Sequence, residues 1–360
     1  MWSAGTLTFP AAVVANRAAE VAEVAGATVA AHFGDPGREY EAARDGVGLA
    51  HRSRRALVRV SGSDRCSFLQ ALLTSNVAGL KGGEGQASLF LDNKGHVRGV
   101  LDLWAEEDAV LVGCDVGFVE SVLPDLGKYV LAADVSIEDR RDQETVIAVY
   151  GAGSEDSLSS AGLPISAGAP HAHSAGKIAG VKVRFARTPD LGTLGFEVHV
   201  PTSSIDDVWA ALEETMRDFV PVCVGWNIME VLRVEAGITS FGHEISGEEF
   251  PQEARLDKAI DYQKGCYLGQ ETVARIHYRG QVKRVLSGLR TEFPLTTGAK
   301  LISSDNEVGR VTSSVVSPRL GPIALAYVRR EESESGVVLD VRVDDEDLGT
   351  ARVVSLPFDD

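Results

Sequence analysis

Beyond residue 282 the chain breaks into short strand-like runs, and their spacing constrains the fold more than any other feature. The runs are "VKRVLSGLR", "EVGRVTSSVV", "IALAYV", "VVLDVRV" and "TARVVSL", separated by Gly, Pro and Asp. Several short strands at even spacing predict a small antiparallel barrel of about 75 residues. Residues 282–360 are therefore read as a C-terminal β-barrel.

Upstream the texture is mixed. "ALVRV" alternates, and "SGSD" after it can cap a helix through "RCSFLQALL". "ASLFLD" and "VRGVLDLW" read as strands joined by the turn "DNKG", with "AVLVGC" as a third. One helix is predicted over "GFVESVLPDLGKYVL". A Gly-, Ala- and Ser-rich stretch, 151–180, splits this region into two halves near 140–180. In the second half, "KVRFAR" and "GFEVHV" are strands. "SSIDDVWAALEETMRDF" is a helix with Ser204 or Asp206 near its start, and "WNIMEVLRVEAG" a helix stopped by Gly237. The pattern predicts an α+β protein: two α+β lobes over 36–281, then the barrel. Residues 1–35, beginning "MWSAGTLTFPAAVVANRAAEVAEVAG", read as an alanine-rich helical extension without the basic start of a secretory signal. No run of about 18 apolar residues is present, so no membrane span and a cytoplasmic location are expected.

Charge narrows the partners. A net charge of -17 argues against general nucleic-acid binding, which depends on neutralising phosphates. The stretch Lys264–Arg284 departs from this, with five basic residues (Lys264, Arg275, Arg279, Lys283, Arg284) against one acidic, Glu271. It is a candidate anion site or an ordinary solvated face.

The four cysteines, Cys66, Cys114, Cys223 and Cys266, form no CxxC element, so no metal site is expected. The first three read as small buried hydrophobes. Cys266 lies in "KGCYLGQE", just before a helical "QETVARIHY" and close to Lys264. Helix N–H groups and nearby cations favour a thiolate, and flanking glycines let a ligand approach. His243 in "FGHEI" reads as a turn residue, since no second spaced histidine makes a zinc motif.

"KGCYLGQE" with "ARIHYRGQVKR" resembles the hallmark of the YgfZ-type folate-binding proteins, relatives of the glycine cleavage T-protein. "GLAHRSRRALVRVSGSDRCSFLQALLTSNV", "LRVEAGITSFGHEI" and "EVGRVTSSVVSPRLGPIALAYV" extend the likeness over about residues 40–345. The resemblance implies a three-lobed ring around a central channel that holds tetrahydrofolate or a related reduced folate. It implies a cytosolic accessory protein of iron–sulfur cluster assembly or repair, affecting tRNA-modifying cluster enzymes, with cluster assembly proteins or cluster enzymes as partners. By that likeness Cys266 is the functional thiol, with Lys264 beside it. Arg233 matches the arginine at the folate glutamate carboxylate, against the ordinary reading of an ion pair with Glu230. Trp226 could stack on the pterin or benzoyl ring, with a core tryptophan as its plain alternative. Glu197, Tyr267 and Gln270 complete the candidate folate contacts.

The alternative is a tetrahydrofolate-dependent aminomethyltransferase-like one-carbon transfer enzyme. The T-protein carries a Gly-Gly-x-x-Asp-Asp run, and Gly99 and Val100 are read at its aspartates. Asp102 is out of register, Thr193 replaces the glutamate of a Gly-Glu-x-Gly-Phe-Glu run, and Cys266 replaces an aspartate. A third reading is an interaction scaffold that docks a partner on the basic strip.

Overall fold

The computed structural model describes residues 16–25, 27–130, 132–165, 168–189, 191–344 and 346–359. The chain divides into two compact units. One holds residues 1–70, 76–88 and 100–229; the other holds 71–75, 89–99 and 230–360.

The first unit is built on a six-stranded sheet. Its order is His173–Ile178, Val181–Thr188, Gly195–Pro201, Glu144–Tyr150, Gly48–His51 and Val222–Cys223. All neighbours are antiparallel except the last pair, which is parallel. Alternation in "GFEVHV" decides which side faces what. Phe196, Val198 and Val200 join Val208, Trp209 and Leu212 of the helix Ile205–Thr215 in one core. Glu197 and His199 point to the other face, toward Trp104. The helix begins after Ser204, as expected, but the Ser204 side chain makes no capping bond; Asp206 and Asp207 favour that end through their charge. A five-stranded sheet runs in the order Gly85–Leu91, Val97–Ala105, Ala109–Asp115, Arg55–Ser61 and Ser136–Asp139.

The second unit contains a closed barrel in the order Arg284–Thr291, Gly321–Arg329, Asn306–Ser317, Lys300–Ser303, Val338–Val343 and Glu346–Val354. The last strand pairs back to the first, Gly288 opposite Val354 and Thr291 opposite Ala351. Leu289, Leu301, Val311, Ala326, Val341 and Val353 fill its interior. The α+β class with a C-terminal antiparallel barrel is as the sequence predicts.

Two local readings are corrected. The helix expected in the N-terminal extension is replaced over Glu20–Val24 and Ala27–His32 by an antiparallel hairpin, while residues 1–15 lie outside the described residues. Alanine favours helix only weakly. Here strand pairing and the burial of Ala27, Val29, Ala30 and Ala31 outweigh it. The single helix over "GFVESVLPDLGKYVL" is broken into Val116–Ser121, Leu123–Leu126 and a 3-10 turn, Gly127–Tyr129. Pro124 cannot continue the first helix but suits the opening turn of the next.

Candidate functional site

The "KGCY" loop belongs to the second unit and is held by its own backbone and by Lys264. Asp261 N–H donates to Thr74 O at 2.9 Å, and Leu268 N–H donates to Ala71 O at 3.1 Å. The Asp261 carboxylate accepts from the N–H groups of Gln263 (2.8 Å) and Lys264 (3.1 Å), closing a turn. Lys264 points inward. Its Nζ donates to Leu73 O at 2.6 Å and Ser75 O at 2.8 Å, and lies 5.3 Å from the centre of the Tyr267 ring. Lys264 and Tyr267 are both buried, whereas Gly265 and Cys266 between them are exposed. The motif is thus two inward anchors carrying an outward thiol.

In this arrangement the Lys264 ammonium is a clamp on two backbone carbonyls. Burial pushes its pKa down to about 8, against the pull of Asp261. The sign follows from linkage. The unfolded chain holds this proton up to about 10.4, so stability gains from deprotonation between about pH 8 and 10.4. We expect Lys264→Met to remove that gain and to cost about 1–3 kcal/mol at pH 7 by deleting the hydrogen bonds to Leu73 O and Ser75 O. Urea unfolding of both proteins at pH 7 and 9.5 checks it, and equal stability at both values would sink it.

Gly269 opens the helix Gln270–Arg279 with φ of +79°, and a Cβ there would come within 2.5 Å of Asp92 O. Only glycine meets both demands without strain. Of the five cations in the basic strip, two are engaged by other groups of the protein. Lys264 is buried, and Arg284 pairs with Glu253 (3.4 Å) and Glu249 (3.5 Å). Arg275, Arg279 and Lys283 are exposed. The other cysteines differ from Cys266. Cys114 is buried, and Cys66 and Cys223 are half-buried. Burial, with Glu213 adding to it, pushes the Cys223 thiol up to about 11, and burial also pushes Cys114 up.

Arg233 sits on the helix Trp226–Glu235, is 6% exposed, and has every N–H engaged. Nε donates to Glu230 Oε1 at 3.0 Å, and Nη2 donates to Glu230 Oε2 and Ser313 Oγ, both at 2.8 Å. Nη1 donates to Ile238 O at 2.6 Å and Glu244 Oε2 at 3.0 Å. Glu244, fully buried, also accepts from Ser240 N–H (3.0 Å) and from the hydroxyls of Thr312 and Ser313 (both 2.6 Å). A guanidinium has five donors, and all five are in use. The ion pair with Glu230 forms, as the three-residue spacing on the helix allows.

In the first unit Glu197 is likewise committed. It is fully buried, 3.0 Å from Arg55 Nε, 3.7 Å from Arg52 Nη1 and 3.3 Å from His199 Nε2. Burial alone would raise its pKa; Arg55, His199 and Arg52 outweigh that and hold it well below the usual carboxylate range. Arg55 also pairs with Asp102, which lies 3.2 Å from His171 Nδ1, so Asp102 is held in an ion-pair chain. Trp226 is half-buried with the Arg54 guanidinium 5.9 Å from its ring, and Gln270 is half-buried. Sequence reasoning missed Arg55, Glu244 and Asp261. The signal available was the pair Glu197 and His199 on one face of an otherwise apolar strand, which demands buried partners.

Gly95 takes φ of +90° in the "DNKG" turn. Counted from it as the second glycine, the Gly-Gly-x-x-Asp-Asp positions fall on Arg98 and Gly99, one residue earlier than read above. Neither register supplies a carboxylate. Among the described residues no three His, Cys, Asp or Glu side chains group as a metal site. No helix among them is long and apolar enough to cross a membrane.

Fold and site together define an α+β protein with a C-terminal barrel that presents a single exposed thiol between two buried anchors. Residues 11–264 match the GCVT N-terminal domain, and residues 284–360 match the glycine cleavage T-protein C-terminal barrel domain. The chain belongs to the glycine cleavage T-protein family. It is 30% identical over 362 residues to the aminomethyltransferase of Streptomyces avermitilis, covering 94% of each chain. It is 29% identical to that of Bacillus subtilis, covering 89% of this chain and 90% of the relative. Its fold matches the glycine cleavage system aminomethyltransferase T from Bartonella henselae with a TM-score of 0.86 at 23% identity, over 96% of this chain and 95% of that one.

Proposed function

We propose that this chain binds tetrahydrofolate or a related reduced folate and acts in the cytosol as an accessory protein of iron–sulfur cluster assembly or repair. Its effects would reach cluster enzymes that modify tRNA, and its partners would be assembly proteins or those enzymes. The observation that carries this is the exposed Gly265–Cys266 tip between buried Lys264 and Tyr267, in a chain with no carboxylate at Arg98 and Gly99.

The candidate folate residues fit the ligand in part. Half-buried Trp226 could stack on a ring, and the Gln270 amide could hydrogen-bond to it. Glu197 and Arg233 have their charges matched inside the protein, so a contact with folate would require those pairs to rearrange. Tyr267 serves the loop. Folate, when bound, supplies a one-carbon carrier. The protein's own contribution at the loop is to hold the thiol at a fixed place, with the Lys264 ammonium turned away into the carbonyls of Leu73 and Ser75.

A second reading is tetrahydrofolate-dependent aminomethyl transfer. The relatives' names favour it, since aminomethyltransferases match over about nine-tenths of the chain. The residues at 98, 99, 193 and 266 favour the first reading.

Calorimetry with tetrahydrofolate is expected to give micromolar binding, and no heat at millimolar ligand would reject both readings. Tetrahydrofolate-dependent ammonia release from an aminomethyl-loaded lipoyl carrier protein is expected to be absent. Its presence would establish the second reading over the first. Cys266→Ala is expected to fold normally and yet fail to restore cluster-enzyme activity in a strain lacking the protein.

A further inference from the structure

The helix Gln270–Arg279 and the segment after it leave exposed a set of groups that neither the fold nor the thiol loop uses. Arg275, Arg279 and Lys283 are exposed, and their side chains make no ion pair or hydrogen bond among the described residues. Arg275 and Arg279 are one helical turn apart, on one face. Beside them is an aromatic group. Tyr262 and His277 stack with ring centres 3.7 Å apart and planes 16° apart. The stack is anchored from below, because the Tyr262 hydroxyl donates to Asp257 Oδ1 at 2.9 Å and accepts from Gln252 Nε2 at 3.1 Å. Its outer member, His277, is exposed. Tyr278 stands edge-on to His277 at 4.7 Å and is 65% exposed, a large ring left in water.

We propose that this face binds a short segment of single-stranded nucleic acid. Its backbone would run along Arg275, Arg279 and Lys283, and its bases would stack against Tyr278 and the open end of the Tyr262–His277 pair. The chemistry points to this occupant over an acidic peptide. Cations alone serve any polyanion, but an anchored aromatic stack beside them serves flat rings, and base–aromatic stacking combined with a cationic track is how single strands are held without sequence preference. The net charge of -17 repels a long polyanion, and Glu271 lies one turn before Arg275, so the contact is confined to a few nucleotides. Nothing in this depends on folate binding.

Fluorescence anisotropy with a labelled dodecanucleotide, as RNA and as DNA of one sequence, tests it on the full chain at low salt. Low-micromolar binding to at least one of them is expected, and their ratio says which sugar is preferred. Tyr278→Ala and Tyr278→Leu should each weaken binding about tenfold, since leucine keeps apolar area but not the stacking face. Arg279→Ala should lower the slope of log affinity against log salt by about 0.7, one phosphate contact to a single strand. Replacing Arg275, Arg279 and Lys283 together with alanine should abolish binding while leaving the urea midpoint unchanged. No binding of either strand, or binding indifferent to these substitutions, overturns the proposal. So does equal binding of an oligoglutamate peptide with Tyr278→Leu silent, which would assign the face to an acidic protein partner.

Discussion

Arg233→Ala is expected to lower the unfolding free energy by about 3–5 kcal/mol, the cost of breaking a buried ion pair by removing one partner. The reason lies in what remains. Glu244 is fully buried and would be left with only Ser240 N–H and the Thr312 and Ser313 hydroxyls as partners of its side chain. Ile238 O loses its 2.6 Å donor as well. Arg233→Lys should recover only part, because an ammonium has three donors on a single atom and cannot span Glu230, Glu244 and Ser313 at once. Urea midpoints measure both, and a loss below about 1 kcal/mol for the alanine variant would show that the network contributes little. A folate-binding assay on Arg233→Ala is therefore uninterpretable without its stability.

In the first unit, Arg55→Met should cost a similar amount, about 3–5 kcal/mol at pH 7. It leaves fully buried Glu197 with Arg52 at 3.7 Å and His199 at 3.3 Å, and Asp102 with His171 alone. The pH dependence identifies the cause. In the wild type the pKa of Glu197 is depressed, so its contribution is complete above the unfolded value of about 4.3 and is lost as pH falls below it. Without Arg55 the same carboxyl accepts a proton readily, so the variant should be less acid-sensitive and its deficit should narrow toward pH 4. The double variant Arg55→Met with Glu197→Gln should recover part of the loss. A deficit that stays constant from pH 7 to 4 would assign the cost to the lost contact of the guanidinium with the Trp104 ring rather than to the Glu197 charge.

What the sequence made legible was whatever depends on near neighbours. The barrel strands alternate, so their faces are set residue by residue. Arg233 and Glu230 are three apart on a helix, and that pair forms as the spacing says. Gly237 ends its helix with φ of +68°. What stayed hidden depends on residues far apart in the chain. Glu244 and Ser313, and Arg55 and Glu197, are brought together by tertiary packing that no local pattern records. The same holds for Lys264. In sequence it sits beside a cysteine and reads as chemistry, but its partners, Leu73 and Ser75, are 191 and 189 positions away. The N-terminal hairpin was hidden for a related reason: alanine content signals helix, whereas strand pairing and burial decide for strand.

The closed barrel has one more consequence. A sheet with an open edge offers a row of unpaired N–H and C=O groups on which another chain can add a strand. The six-stranded sheet of the first unit has such edges, one of them reduced to the two residues Val222–Cys223. The barrel has none, since Glu346–Val354 pairs with both Val338–Val343 and Arg284–Thr291. Loss of that last strand, by proteolysis or a premature stop, would uncover two edges at once. The final stretch of the chain therefore acts as a seal against self-association, and the damage from a C-terminal truncation would be read first in solubility.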